Sequence, residues 1–291
     1  MTLSAIGFSA AWLFAAPPTF VSETREVRVD VVVSQDGAPV TGLQAEDFEL
    51  LDDGAPQDLS LVAREQTNVH AVLVLDQSES LSPAARKTLK DAAAVFLDRM
   101  EPGDRATLLT FTHDLSLVSG PDTPEAVKRS LADLDGSGTT ALYDAIHAAL
   151  IVGAAAPGRP FVVVFTDGVD RISWIAAPQL RQAARLAEGT LYFVSTSSWS
   201  EEGLSLAEPT SDAQGRAFLR AVAAETGGRV WTGSGDAIEA QFIRTLAEVK
   251  NRYLLAYAPE SPTPGWHTIE IRTRQGRGEV RARRGYFSRQ P

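Results

Sequence analysis

The sequence predicts an α/β protein in which a doubly wound, mostly parallel sheet sits between two short β-rich ends. Three observations lead there. Ala71–Leu75, Thr107–Phe111, Phe161–Phe165 and Thr190–Val194 are continuous apolar runs, as expected of strands covered on both faces. Segments with apolar residues at helical spacing lie between and after them. Outside residues 68–250 the rhythm changes to period-two alternation broken by Asp-Gly turns.

Taken in order, Val27, Val29, Val31 and Val33 share one face of a strand that starts near Arg25 and ends at the turn Asp36-Gly37. Phe48, Leu50 and Leu51 precede Asp52-Asp53-Gly54, and Leu59, Leu61 and Val62 follow it, so residues 25–63 are expected to form short antiparallel strands. Helices are expected over Pro83–Met100, Ala141–Val152, Ala177–Glu188, Ala213–Glu225 and Ala237–Lys250. Alternating strand and helix requires crossover connections, hence a parallel, Rossmann-like sheet. Tyr253–Tyr257, Thr268–Arg272 and Glu279–Ala282 supply further strands. A few short strands rarely stand alone, so the two ends are expected to pair into a small β-sandwich. The expected division is a signal-like apolar segment at 1–20, N-terminal β-strands at 21–67, the α/β domain at 68–250 and C-terminal β-strands at 251–291.

With 44% hydrophobic and 22% charged residues the chain can bury a core, and disorder is not expected. A formal charge of −10 repels phosphate backbones and anionic lipid, which sets nucleic acid aside as a partner. The basic residues Arg272, Arg274, Arg277, Arg281, Arg283 and Arg284 alternate with Ile271, Val280 and Ala282, which reads as the outward face of a strand rather than a binding patch. The absence of cysteine excludes disulfides and thiolate chemistry and leaves the compartment undecided. Met1–Ala16 reads as the apolar core of a secretory signal, too short for a stable membrane anchor, so export to the periplasm or beyond is expected. No basic residue precedes the run and Pro17 follows Ala16, which keeps a truncated start and a buried N-terminal segment as alternatives. Nothing in the sequence fixes the oligomeric state.

Ligands of open α/β sheets bind at the carboxyl ends of the strands. Asp76-Gln77-Ser78-Glu79-Ser80 follows the run ending at Leu75, and Thr166-Asp167-Gly168 follows the run ending at Phe165. Gly136-Ser137-Gly138-Thr139-Thr140 opens the helix that starts at Ala141. Carboxylate and hydroxyl oxygens without imidazole or thiolate are the donor set of a hard cation such as Mg²⁺.

Asp76-x-Ser78-x-Ser80 after a hydrophobic strand, a Gly/Thr loop before Ala141-Leu142-Tyr143-Asp144-Ala145, and Thr166-Asp167-Gly168 after a later strand occur in this order. Together they resemble the metal-ion-dependent adhesion site of von Willebrand factor A (VWA) domains, over residues 68–250. The resemblance implies the VWA fold, with Ser78, Ser80 and Thr140 as direct metal ligands and Asp76 and Asp167 as charge partners. It implies Mg²⁺, or Mn²⁺ or Ca²⁺, as the ion, and a protein partner that presents an Asp or Glu. Val27-x-Val29-x-Val31, Thr41-Gly42-Leu43-x-x-Glu46-Asp47-Phe48, Tyr253-Leu254-Leu255 and Arg284-Gly285-Tyr286-Phe287 extend the likeness to bacterial "VWFA-related domain" proteins. One departure is Glu79, where the family usually has a small residue; a third carboxylate there can support the ion or occupy the partner's position. Thr139 leaves the loop register open by one residue, with the Ala-Leu-Tyr-Asp sequence favouring Thr140.

Two rival readings stand beside this one. In an aspartyl-phosphate phosphotransferase Asp76 would be the nucleophile, but such enzymes want a second acid where Ser78 stands, and the chain has no phosphate-binding Gly-Lys-Ser/Thr loop. A non-enzymatic protein is therefore expected. In a structural domain with a non-functional site, the same residues would serve stability alone. Asp144 is expected to be structural, and Asp170 and Arg171 either tune the partner or face solvent. Trp174 and Trp199 are expected to shield loops, with the rim of the interface as the alternative, and His70, His113, His147 and His267 to pack or face solvent, since they lack metal-ligand spacing.

Overall fold

The computed structural model describes residues 26–64, 68–155, 160–195, 211–233, 236–259 and 263–288; the signal-like segment and Trp199 lie outside them. Five short strands come first: β1 (Val27–Gln35), β2 (Ala38–Pro39), β3 (Phe48–Asp52), β4 (Ala55–Gln57) and β5 (Leu61–Arg64). Both Asp-Gly pairs make the hairpin turns expected of them. Asp36 and Gly37 (φ 52° and 77°) join β1 to β2, and Asp53 and Gly54 (φ 47° and 82°) join β3 to β4. Left-handed backbone at both central positions matches the twist of the flanking strands.

The central elements are β6 (His70–Asp76), α1 (Pro83–Asp98), β7 (Arg105–Phe111), β8 (Leu115–Asp122), α2 (Pro124–Ser130), α3 (Leu142–Ala154), β9 (Phe161–Phe165), α4 (Ala177–Leu186), β10 (Thr190–Ser195), α5 (Asp212–Glu225), β11 (Val230–Thr232) and α6 (Asp236–Lys250). They form a six-stranded sheet in the order β11-β10-β9-β6-β7-β8, parallel except for β8, which runs antiparallel to β7. The apolar runs are explained by burial on both faces. Ala71, Leu73 and Leu75 join a cluster with Phe96 of α1, Val127 of α2 and Phe242 of α6. Val72 and Val74 join another with Ile146 of α3, Leu180 of α4 and Phe218 of α5. Each buried Val, Leu, Ile or Phe side chain contributes about 1.5–3 kcal/mol. The strand order reverses at β6, between β7 and β9, which is where a doubly wound sheet opens a ligand crevice.

The chain ends with β12 (Tyr253–Tyr257), β13 (Gly265–Thr273), β14 (Glu279–Ala282) and β15 (Gly285–Ser288). These pair with the N-terminal strands in two antiparallel sheets, ordered β14-β1-β12-β5 and β15-β13-β3-β4. Val29, Val31 and Val33 of β1 share one apolar cluster with Phe48, Leu50, Tyr253, Leu255 and Ile269. The strand after Asp53-Gly54 differs from expectation. Ala55–Gln57 returns along β3, whereas Leu61–Arg64 crosses to the other sheet and pairs with β12.

The arginine-rich stretch also differs in part. Arg272 pairs with Glu49 at the surface, but Arg281 turns inward, its side chain only 10% exposed, to the buried Glu248 of α6. A β14 residue thereby contacts the central sheet's helical layer. Among the described residues no helix is long and apolar enough to cross a membrane.

Candidate metal centre

Asp76 is the last residue of β6, and its side chain is fully buried. One carboxylate oxygen accepts from the Ser78 backbone N–H at 2.9 Å and the Ser78 hydroxyl at 2.6 Å; the other accepts from the Thr166 hydroxyl at 2.8 Å. Ser78 Oγ is the hub of the cluster. It lies 2.9 Å from Ser80 Oγ and accepts from Thr140 Oγ1 at 2.9 Å. Ser80 in turn hydrogen-bonds the carboxylate of Asp167, which follows β9. The structure therefore brings Asp76, Ser78, Ser80, Thr140 and Asp167 together at the carboxyl ends of β6 and β9. Thr140 is buried and joined to the cluster, while Thr139 is exposed.

Local interactions hold the loops in register. Ser82 caps α1 at Ala85 N, and Arg86 reaches back to the carbonyls of Ser78 (2.9 Å) and Leu81 (3.0 Å). The Glu79 N–H donates to Gly138 O, which ties the Asp76–Ser80 loop to the Gly/Thr loop. Gly138 has φ +115°, a backbone conformation that favours glycine, and a Cβ there would stand 2.5 Å from His113 Nδ1, so any other residue would also have to displace that exposed ring. Glu79 is exposed.

Burial dominates the electrostatics. It pushes Asp76 up to about 6, against the opposing hydrogen bonds from Ser78 and Thr166, and the charge of Asp167 adds to the rise. Burial also raises Asp167, with the Val169 N–H, Ser80 and Arg216 opposing. Two carboxylates held in a desolvated crevice beside neutral hydroxyls gain by any nearby positive charge. The donors are all oxygen, so the residues fit a hard divalent cation. They would hold it through the hydroxyls of Ser78, Ser80 and Thr140, with the two aspartates supplying charge.

Thr166 is a member of the cluster that sequence reasoning passed over in favour of its neighbour; its place in Thr166-Asp167-Gly168 was the available signal. A loop over residues 170–176 borders the cluster. Its Arg171 and Ile172 N–H groups donate to Thr140 O, and its Trp174 and Ile175 N–H groups donate to the carboxylate of Asp144 at 2.9 and 3.1 Å. Asp170 accepts from the Tyr143 N–H, and Arg171 forms a two-bonded pair with Asp212. Trp174 shields nothing: it is 95% exposed, with Ile172 47% exposed nearby in the same loop. His70 packs against Thr107 inside the central domain. His267 packs as expected, buried and stacked on Tyr286, and the fold also sets it against Asp52 and Asp53.

No curated protein matches the chain. Solved structures are similar over part of it. An aerotolerance-related membrane protein from Bacteroides fragilis NCTC 9343 aligns at 20% identity with a TM-score of 0.45, over 63% of this chain and 100% of that one. The conserved hypothetical protein BatB from Bacteroides thetaiotaomicron aligns at 17% identity with a TM-score of 0.46, over the same shares. Proximal thread matrix protein 1 from the mussel byssus, described with a zinc-occupied MIDAS motif, aligns at 15% identity and 0.46, over 68% of this chain and 50% of that one. Residues 71–169 match the profile of the von Willebrand factor type A domain, and all five clustered residues fall inside that segment. The chain carries a von Willebrand factor type A domain.

Proposed function

We propose that this is a divalent-cation-dependent protein-binding module, not an enzyme, which grips an acidic side chain of its partner through the centre at Asp76, Ser78, Ser80, Thr140 and Asp167. The observation that carries the reading is the hub at Ser78, where three hydroxyls from two loops meet beside two desolvated carboxylates. When bound, a Mg²⁺-class ion supplies a Lewis-acidic position able to take a partner's carboxylate oxygen. Neutral hydroxyls as the direct ligands leave that ion more of its charge than carboxylates would. Trp174 and Ile172, exposed on a loop anchored to Thr140 and Asp144, offer apolar contact area beside the ion. The partner we infer is therefore a protein with an Asp or Glu flanked by apolar residues.

The same reading takes the two terminal sheets, with their shared apolar cluster, as a small β-sandwich beside the domain at 68–250, and takes the segment at 1–20 as an export signal. The likeness to VWFA-related proteins belongs to this reading too. Its test is thermal. Mg²⁺ or Mn²⁺ raises the melting temperature of the wild type by mass action, and Asp76→Ala abolishes the rise. An equal shift in both proteins would place the ion elsewhere, and no shift in either would leave a structural domain whose hydroxyls satisfy one another.

A further inference from the structure

The β3–β4 turn and β13 bring a second group of metal-ligating side chains together, in a different sheet from the centre above. Asp52, Asp53 and His267 each offer a donor atom, and these atoms lie within 4.8 Å of one another. In each residue the other polar atom is already committed. Asp52 Oδ2 accepts from the hydroxyls of Tyr257 (2.9 Å) and Tyr286 (3.0 Å). Asp53 Oδ1 accepts from the Thr268 N–H at 2.8 Å. His267 Nε2 faces the carbonyl of Thr263 at 2.7 Å, and since a carbonyl only accepts, the proton of the neutral ring sits on Nε2. That leaves Asp52 Oδ1, Asp53 Oδ2 and His267 Nδ1 facing one another.

Asp52 Oδ1 is the decisive atom. Asp52 is 6% exposed, and this oxygen has no hydrogen-bond donor. His267 Nδ1 stands 3.5 Å away, too long for a charge-assisted bond, and 3.0 Å from Asp53 Oδ2. A buried carboxylate oxygen without a donor is costly, and two carboxylates converging on the lone pair of an imidazole repel it unless a cation lies between. Ligands of a tetrahedral ion with bonds of about 2.0–2.1 Å stand about 3.3 Å apart, and the observed 3.0 and 3.5 Å bracket that spacing. A ring N–H given to a backbone carbonyl and a carboxylate oriented by hydroxyls are the supports that ligating His and Asp residues usually have.

We propose that Asp52, Asp53 and His267 bind a divalent transition-metal ion of the zinc class, through Asp52 Oδ1, Asp53 Oδ2 and His267 Nδ1, with water completing the coordination. Imidazole among the ligands selects zinc-like ions over Mg²⁺, which the all-oxygen centre suits better. The ion cross-links the β3–β4 turn to β13 and so ties the N-terminal strands to the C-terminal ones. The alternative cation is a proton on Nδ1, which would make the cluster a plain salt bridge.

The test titrates Zn²⁺ into the full chain with Mg²⁺ in excess, in the wild type and in Asp76→Ala, while calorimetry counts equivalents and NMR follows the His267 ring. The expected result is one Zn²⁺ equivalent in both proteins that Mg²⁺ does not displace, with the His267 ring resonances shifting as it binds. His267→Gln and Asp52→Asn each weaken that equivalent by at least tenfold. Zinc binding that leaves the His267 resonances unmoved, or none at all, overturns the proposal in favour of the proton. Unchanged zinc affinity in His267→Gln overturns it as well. The resonances are read with His267 intact, so the outcome does not depend on whether the variants fold.

Discussion

At Asp76, burial and hydrogen bonding act in opposite directions and burial prevails, lifting the carboxyl from its ordinary 3.8 to about 6. Between those values the cation-free folded chain holds a proton that the unfolded chain releases. Stability from this group is thus present at low pH and falls as pH rises through the window, by up to roughly 3 kcal/mol. Urea unfolding in chelator at pH 4.5, 5.5 and 7 should show the wild type losing ground to Asp76→Asn across that range; a constant difference would mean that the carboxylate is already ionised. Glu79 poses a separate question. Its side chain is exposed, free to turn to solvent or over the cluster, while its N–H is fixed to Gly138. Glu79→Gly is expected to weaken cation binding by ~1 kcal/mol and, with cation saturating, to strengthen binding of an acidic peptide. Weaker binding of both would make Glu79 a supporting ligand instead of an internal competitor. Much of this centre was legible in the sequence, because Asp76, Ser78 and Ser80 are local to one strand end and Asp167 follows another. Thr166 was less so, since a buried threonine at a strand end looks like any β-branched core residue until its hydroxyl is seen to reach Asp76.

At the scale of elements, the loop over residues 170–176 borders the centre through its hydrogen bonds to Thr140. It has little core of its own and is held chiefly by hydrogen bonds, two of them from its backbone to Asp144. Asp144→Ala removes both acceptors. It should speed hydrogen exchange at Trp174 and Ile175 and lower partner affinity about tenfold, the loss of roughly 1.4 kcal/mol of preorganisation, with cation affinity unchanged. Trp174→Ala should likewise weaken the partner and spare the cation. If either variant weakened the cation equally, the loop would be part of the metal centre and not its rim. The buried elements were the readable ones: β6, β7, β9 and β10 announce themselves as apolar runs because helices cover both faces. β8 carried no such mark. It is the antiparallel edge of the sheet, and Leu115, Leu117 and Val118 are exposed along it, so neither an apolar run nor a clean alternation singled it out. β4 was misplaced for a related reason. A three-residue edge strand containing Pro56 has almost no hydrophobic pattern, and the more apolar Leu61–Val62 drew the assignment.

Across the whole molecule, the ends of the chain meet each other and also the domain between them. The pairing of β1 with β12 and β14 was foreseeable from unpaired strand material at both ends. The contacts that span it were not. His267 lies 215 residues along the chain from Asp52 and shares no spacing motif with it, and one arginine of a basic stretch that alternates with apolar residues gives no sign that it turns inward. Arg281 does so, meeting Glu248 of α6 and hydrogen-bonding Tyr192 of β10, in surroundings where the arginine side chain is 10% exposed and the glutamate 2%. A pair this buried costs much of its attraction in lost hydration, yet breaking it strands a charge. Glu248→Ala should therefore destabilise the protein by about 3–5 kcal/mol, whereas Glu248→Leu combined with Arg281→Met, which removes both charges and keeps the volume, should stay within about 1–2 kcal/mol of wild type. Because Arg281 belongs to β14 and Glu248 to α6, the single variant should also separate the unfolding of the terminal sheets from that of the central sheet. Hydrogen exchange in β1 and β14 would then accelerate at urea concentrations where β6 and β9 remain protected. A single, coincident transition for all four strands in Glu248→Ala, with less than about 1 kcal/mol lost, would mean that the other contacts of α6 with β1 and β2, and not this ion pair, couple the two parts.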